Sequence, residues 1–200
     1  MHRILASAAL AAALALPAAA SDIASSVDAD ALPEGKRTAL GLYLSPRDAH
    51  RALEADPGIV FVDVRSRAEF GLVGHPVSAD RNVPFVFANT LKYDPEKGSY
   101  GWSPKPQLVE HGQALMTREG KAKSDPVIVM CRSGGRSAKA ADALAEAGYT
   151  QVYSLVEGFE GGTDEETGHR TKAGWVNADL PWTYEIRPEQ RYGAGEASAS

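Results

Sequence analysis

The sequence predicts a single α/β domain with a mostly parallel, five-stranded sheet and helices on both faces. Strand patterns alternate with helix patterns along the chain, which is typical of βαβ units. Several strand patterns are almost continuously apolar, as expected for strands that helices cover on both sides. The chain has 200 residues and 44% hydrophobic residues, which is enough for one sizeable core.

A short strand and a helix open the predicted domain. Residues 42–44 have the pattern of the strand. Ser45 is the expected N-cap of the helix, and Pro46 is its expected first residue. Pro57 and Gly58 are predicted to end this helix, because both residue types break helices.

The central elements are less regular. The segment "IVFVDVR" at 59–65 predicts a strand buried on both faces, and a short helical pattern at 67–70 leads to a turn around Gly74. "NVPFVF" at 82–87 predicts another strand. Residues 88–105 combine proline, glycine and aromatic residues without periodicity. We expect a long surface excursion there, which either packs on its own domain or forms a lid or a partner surface.

Three elements complete the domain. Residues 107–119 have the apolar spacing of a helix, and "PVIVM" at 126–130 predicts the central strand. A helix is expected at 137–147, with Gly148 as its left-handed cap. "QVYSL" at 151–155 predicts the fifth strand.

The N-terminus has the pattern of a signal peptide. Arg3 precedes an apolar run at 4–16, and small residues follow as far as Ala20. We predict cleavage after Ala20, which makes residues 1–20 the signal peptide, and export to the bacterial periplasm. A retained membrane anchor is the alternative, but the run is shorter than the roughly 20 residues of a spanning helix. We expect a flexible leader at 21–39, the folded domain at 40–187, a flexible tail at 188–200, and no membrane association after cleavage.

The single cysteine, Cys131, directly follows the predicted central strand. In parallel sheets, ligands bind at the carboxyl ends of strands. Two consecutive glycines let backbone N–H groups turn inward, and the positive end of the next helix and two arginines favour thiolate over thiol. We therefore predict Cys131 as a nucleophile, although a buried structural cysteine is the alternative. The expected substrate-binding residues are Arg132, Ser133, Gly134, Gly135, Arg136 and Ser137.

This cysteine loop resembles that of the rhodanese (sulfurtransferase) family. "VDVRSRAEF" at 62–70, "GH" and "NVP" within 74–84, and "NADLPW" at 177–182 resemble further motifs of that family. The resemblance covers roughly Leu42 to Trp182. It implies a rhodanese-like domain that takes sulfur from thiosulfate or a similar anion, holds it as a Cys131 persulfide, and passes it to a thiol or cyanide.

Loop length separates two chemistries that share this architecture. Cysteine phosphatases place five residues between the cysteine and the arginine, whereas four separate Cys131 from Arg136. The shorter loop favours sulfur transfer, with arsenate reduction as a minor alternative. The resemblance also implies that a protein with Arg132 directly after the cysteine prefers thiosulfate to mercaptopyruvate as its sulfur donor. A non-catalytic module that carries or senses sulfane sulfur, or docks a periplasmic redox protein, is the alternative function.

The family resemblance also gives Asp63 a supporting role. Asp63 is expected to help hold the active-site region, together with Arg65. The alternative for Arg65 and Glu69 is a surface ion pair of little energetic value.

Neither a metal nor a cofactor is expected. The histidines lack metal-ligand spacing, and residues 157–175 form a longer loop than in relatives, which includes Arg170. Asp164, Glu166 and Gly168 resemble a calcium loop only in part, so a solvated charged loop is favoured. Acidic residues outnumber basic ones by 26 to 21, which argues against nucleic acid as a partner.

Overall fold

The computed structural model describes residues 23–104 and 107–194. Four α-helices lie in this part of the chain: α1 (Pro46–Ala55), α2 (Arg67–Leu72), α3 (Leu108–Arg118) and α4 (Gly135–Glu146). The strands are β1 (Tyr43–Leu44), β2 (Val60–Asp63), β3 (His75–Pro76), β4 (Arg81–Asn82), β5 (Val86–Asp94), β6 (Ser99–Pro104), β7 (Val127–Met130), β8 (Val152–Leu155) and β9 (Trp182–Thr183).

Five strands form the central sheet in the order β1-β8-β7-β2-β4, and every neighbouring pair is parallel. This confirms the predicted fold class. In the register of the sheet, Asp63 lies beside Met130. The carboxyl ends of β2 and β7 therefore meet at one edge, and Cys131 follows directly from that edge.

Apolar side chains cover both faces of the sheet. Alternate residues of β7 point to opposite sides, so Val129 joins the cluster with α3 and α4, whereas Ile128 joins the cluster with α1 and α2. Leu144 of α4 and Phe70 of α2 are typical members of the two clusters. Helices on both faces bury the sheet, as its continuously apolar strands require.

The helix ends follow their local sequence signals. Ser45 caps α1 by accepting the N–H of Asp48 at 3.2 Å, and Pro46 is the first helical residue, as predicted. A capping box of Ser66 and Glu69 starts α2. Helix α4 begins at Gly135, two residues before the predicted start.

The predicted strand at 82–87 is wrong in part. Only Arg81–Asn82 belongs to the central sheet. Regular pairing ends at Asn82, although the N–H groups of Val83 and Phe85 still donate to the carbonyls of Asp63 and Val64 at 2.9 and 3.0 Å. Val86 instead starts a two-stranded antiparallel hairpin of β5 and β6. The excursion expected at 88–105 is therefore an antiparallel hairpin over its described residues, with an irregular register between Asn89 and Tyr93 and with Leu91 and Tyr93 exposed.

The segment expected as a flexible leader packs on the domain from residue 23 onward. Leu32 is buried beside Tyr43 and Val156. Lys36 Nζ donates to the carbonyl of Val156 at 2.9 Å, and the N–H of Ala39 donates to Asp142 of α4 at 2.8 Å. These apolar and polar contacts fix the leader over the edge strand β1. Residues 1–22, which include the predicted signal peptide, lie outside the described residues.

The expected flexible tail also packs on the domain, as far as residue 194. Gln190 is fully buried, and its side-chain amide donates to the carbonyl of Ala79 at 2.7 Å. Arg81 Nε donates to the carbonyl of Glu189. Residues 195–200 of the predicted tail lie outside the described part. No helix among the residues described is long and apolar enough to cross a membrane.

Candidate active site

The Cys131 side chain lies inside the turn that joins β7 to α4. Its Sγ accepts the N–H of Gly134 at 3.2 Å. The N–H of Cys131 itself donates to Ser137 Oγ at 2.7 Å, which closes the turn at its base. Only 1% of Cys131 is exposed. The thiol thus sits at the start of an α-helix of 12 residues, where the helix dipole favours a negative charge.

The carbonyl groups of the cysteine loop point away from the sulfur. The carbonyl of Cys131 accepts the N–H of Phe159 at 2.8 Å, and that of Arg132 accepts the N–H groups of Glu160 and Gly161 at 2.9 and 3.1 Å. With these carbonyls turned outward, the loop can present its own N–H groups to the sulfur, as the contact from Gly134 illustrates. A loop that turns several backbone N–H groups inward forms an anion-binding cradle, and the Gly134 N–H is the contact seen here.

Two glycines make this loop geometry possible. Gly134 has φ of 101°, and a Cβ there would lie 2.0 Å from the carbonyl oxygen of Val156. Gly158 has φ of 67°, and its Cβ would lie 2.4 Å from the carbonyl oxygen of Cys131. Any side chain at either position would collide with backbone, so both sites require glycine.

The thiol opens into a cleft of about 470 Å³. The N-terminal segment contributes Gly35 to one wall, and the β5–β6 hairpin contributes Trp102 to another. Lys139 of α4 also lies at the cleft. The full set of lining residues is Gly35, Phe85, Val86, Trp102, Cys131, Arg132, Ser133, Gly135, Arg136 and Lys139.

Arg136 is fixed by an ion pair with Glu69 of α2. Its Nη1 and Nη2 bind the two carboxylate oxygens at 2.8 and 2.6 Å. Burial opposes the negative charge of Glu69, but the hydrogen bonds and charge of Arg136 prevail and lower its pKa to about 2. Burial likewise opposes the charge of Arg136, yet Glu69 raises its pKa. The Arg136 guanidinium also lies 5.1 Å from the centre of the Trp102 ring.

Asp63 and Arg65 form a fully buried ion pair behind the cysteine loop. Arg65 Nη2 lies 2.6 Å from Asp63 Oδ2 and 2.7 Å from the carbonyl of Gly74. The guanidinium also stacks on Phe159 at 4.2 Å, whose N–H holds the carbonyl of Cys131. The surface pair of Arg65 with Glu69 that was the alternative does not form, because each residue is engaged with another partner. The two buried side chains stabilise the backbone that supports the loop.

Most of the predicted loop residues surround the cysteine. Arg132, Ser133, Gly135 and Arg136 line the cleft, and Gly134 contacts the sulfur through its N–H. Ser137 differs from the prediction. It is fully buried, and its hydroxyl accepts the Cys131 N–H instead of facing the cleft, so it holds the loop closed.

Sequence reasoning missed Gly158, Trp102 and the bond between Glu69 and Arg136. The capping pattern of Ser66 and Glu69 was readable in the sequence, but its second function, holding Arg136, depends on the fold. A glycine three residues after a predicted strand is a weak signal. Trp102 lay in the segment without periodicity, for which a lid was only one of the alternatives.

In the acidic loop at 162–168, other groups of the protein bind the Asp164 carboxylate. Asp164 accepts the N–H and hydroxyl of Thr167, both at 2.9 Å, and also binds Lys172. These contacts occupy its carboxylate as in a solvated charged loop. In the part of the chain described, no group of three or more His, Cys, Asp or Glu side chains could hold a metal ion.

Comparisons with known proteins agree on one family. A model of the rhodanese-like domain matches residues 45–165. Thiosulfate sulfurtransferase 16 of Arabidopsis thaliana chloroplasts is 36% identical over 111 residues, which are 56% of this chain and 78% of that protein. An uncharacterized protein of Rickettsia prowazekii is 36% identical over 136 residues, or 68% of this chain and 92% of that protein.

A solved structure gives the same result. The crystal structure of Rv0390 from M. tuberculosis matches with a TM-score of 0.50 at 33% sequence identity. The match covers 71% of this chain and 96% of that one.

Proposed function

Because this chain belongs to the rhodanese-like domain family, we propose that it is a sulfurtransferase that carries sulfane sulfur as a persulfide on Cys131. One observation carries the proposal: Cys131 Sγ accepts the N–H of Gly134 at 3.2 Å, at the start of α4 and at the base of a cleft lined by cations. This environment favours a thiolate and, after the first step, an anionic persulfide.

Thiosulfate is the proposed donor. The Cys131 thiolate attacks the outer sulfur of thiosulfate and forms a new S–S bond. The bond between the two thiosulfate sulfurs breaks, and sulfite leaves with its electron pair. An acceptor thiolate or cyanide then attacks the outer sulfur of the persulfide. The Cys131–sulfur bond breaks, and the Cys131 thiolate is restored, so the cycle needs no further oxidant or reductant.

The two loop arginines have different parts in this proposal. Arg132 lines the cleft, and its Nε is buried without a hydrogen-bond partner among the described residues. It is therefore available to attract the donor dianion. Arg136 is bound to Glu69 through both terminal nitrogens. Its role is to hold the loop against α2, and its charge adds to the field at the thiolate.

Mass spectrometry tests the first step directly. Incubation with thiosulfate should add about 32 Da, the mass of one sulfur atom, to the wild-type chain and nothing to Cys131→Ser. With cyanide as acceptor, Cys131→Ser should be inactive. A wild-type protein that forms the persulfide but transfers no sulfur to cyanide or thiols would be a sulfur carrier. Absence of the adduct with every sulfur donor would contradict both functions.

Steady-state kinetics test the donor. Arg132→Ala should raise the KM for thiosulfate by roughly tenfold to a hundredfold, as expected for the loss of one charge-assisted contact. The rate at which a preformed persulfide reacts with cyanide should change little. Arg118→Ala, which removes an arginine paired with Glu119 on the surface, is the matched control. An unchanged thiosulfate KM in Arg132→Ala would contradict the assigned role.

We also propose that the protein acts in the bacterial periplasm, based on the signal-peptide pattern of residues 1–20. N-terminal sequencing of the protein from fractionated cells should find a periplasmic chain that starts at Ser21. Recovery of the intact chain in the cytosol would contradict the proposal.

A further inference from the structure

Two half-buried arginines lie beside the cysteine loop without a carboxylate bound to either. Arg132 lines the cleft and has the unpartnered Nε. Arg170 comes from the long loop after β8, and its Nη1 donates to the carbonyl of Gly161. Within residues 23–104 and 107–194, neither arginine has a carboxylate oxygen within 4.0 Å, whereas Arg136 and Lys172 nearby do.

The backbone brings Arg170 next to Arg132. Gly161 binds Arg170 through its carbonyl, and its N–H donates to the carbonyl of Arg132 at 3.1 Å. One peptide segment thus connects the Arg170 guanidinium to the cysteine loop. Asn177 fixes the long loop by donating from Nδ2 to the carbonyls of Ala173 and Arg170 at 2.7 and 3.1 Å. Arg170 therefore has a defined position.

The local charges show that this position is strongly cationic. Burial and the positive charge of Arg132 lower the pKa of Arg170, and Arg136 acts in the same direction. Glu160 and Cys131 oppose this effect. Since a guanidinium stays protonated at neutral pH, the repulsion between Arg132 and Arg170 persists. A bound anion would relieve it.

We propose that Arg132 and Arg170 form an anion subsite, which binds the oxyanion end of the sulfur donor while its outer sulfur meets Cys131. Guanidinium groups suit the tetrahedral oxygens of a sulfonate-type group, because each can donate two hydrogen bonds. Arg136 is less suited to this place, because the carboxylate of Glu69 neutralises its charge through bonds to both terminal nitrogens. The identity of the bound anion, the oxyanion end of a sulfur donor, rests on the proposed function.

Alkylation tests the subsite independently of sulfur transfer. Cys131 is the only cysteine, so alkylation at one site is measured. Iodoacetate is an anion and iodoacetamide is neutral, and both react with the thiolate. The ratio of their rate constants therefore reports local anion attraction and is insensitive to the ionisation of the thiol. Arg170→Gln should lower this ratio by roughly threefold to tenfold and raise the thiosulfate KM by a similar factor.

Two variants control for charge and for folding. Lys172→Gln makes the same charge change in the same loop, but Lys172 is bound to Asp164, and the ratio should stay within about twofold of wild type. Arg170→Lys keeps the charge and should retain at least about half of the wild-type ratio. If a substitution distorted the long loop, the rate constants for iodoacetate and iodoacetamide would change together, and their ratio would stay the same.

The outcomes separate the two proposals. A wild-type ratio in Arg170→Gln, or an equal fall in Lys172→Gln, would overturn the subsite even if the protein transfers sulfur. A lowered ratio in Arg170→Gln alone would support the subsite, even in a protein that forms no persulfide and so fails as a sulfurtransferase.

Discussion

Replacing Glu69 by glutamine should destabilise the fold through the loss of one charge. Glutamine resembles a protonated glutamate in shape, and its carbonyl can still accept the N–H of Ser66 in the capping box. The side chains of Glu69 and Arg136 are only 12% and 18% exposed, so solvent screens the pair weakly. The pKa of Glu69 is about 2 in the folded protein, against an ordinary value of 4.5. At about 1.4 kcal/mol per pKa unit, the charged form contributes about 3 kcal/mol.

The pH dependence gives this prediction a sign. Because folding lowers the pKa of Glu69, its contribution is complete above pH 4.5 and is lost as the pH falls towards 2. Urea unfolding should therefore find Glu69→Gln less stable than wild type by about 3 kcal/mol at pH 7. The difference should narrow to about 1.5 kcal/mol at pH 3, because at that pH the carboxylate is protonated in the unfolded state but still mostly charged in the folded state.

A surface pair provides the control. Arg118 and Glu119 are adjacent and more than a third exposed, so Glu119→Gln should cost less than about 1 kcal/mol at any pH. If Glu69→Gln cost no more than this at pH 7, or if its deficit were the same at pH 3, the reasoning from the ion pair would be refuted.

Two further substitutions test the backbone of the site. Gly134→Ala should cost several kcal/mol and remove persulfide formation, because its Cβ would lie 2.0 Å from the carbonyl oxygen of Val156; denaturant unfolding and mass spectrometry measure the two effects. Asp63→Asn should lower the free energy of unfolding by about 3 to 5 kcal/mol, since it leaves the charge of Arg65 buried without its partner.

Each of these has a matched control. Gly135→Ala places its Cβ 4.0 Å from the nearest atom, and its free energy of unfolding should stay within about 1 kcal/mol of wild type. Asp94→Asn breaks a surface pair with Lys97 and should leave the free energy of unfolding almost unchanged, because solvent screens the pair. Equal losses in Gly134→Ala and Gly135→Ala would contradict the steric argument. Equal losses in the two aspartate variants would contradict the role of burial.

The sheet was predictable because its signals are local. The apolar runs at 59–65 and 126–130 have the length and composition of strands buried on both faces, and Ser45 with Pro46 marks the start of α1 without reference to the rest of the chain. The hairpin of β5 and β6 was not predictable in this way. A strand pattern in one segment does not identify its partner strand, and the register between these two strands is irregular between Asn89 and Tyr93.

The part of the site that lies within the Cys131 loop could be predicted from the sequence. Two glycines and two arginines directly after Cys131 predict an anion-binding loop. The different roles of Arg132 and Arg136 could not be predicted, because the partner that binds Arg136, Glu69, lies 67 residues away in the sequence. Gly158 was equally hidden, since a glycine in a sequence does not reveal which backbone it approaches.

The contact of the N-terminal segment with β8 has a consequence for the order in which the chain folds. Lys36 binds the carbonyl of Val156, which directly follows β8 and lies 120 residues later in the chain, and β1 pairs with β8 itself. Closing so long a loop costs conformational entropy, and only the non-local contacts that form late in folding offset this cost. During synthesis from the N-terminus, neither the wall that holds Gly35 nor the bonds from Phe159 and Gly161 to the Cys131 loop can therefore form until β8 and the residues after it have been made. The pocket is completed only after β8 has emerged from the ribosome, so a nascent chain exposes its cysteine before it can enclose a ligand.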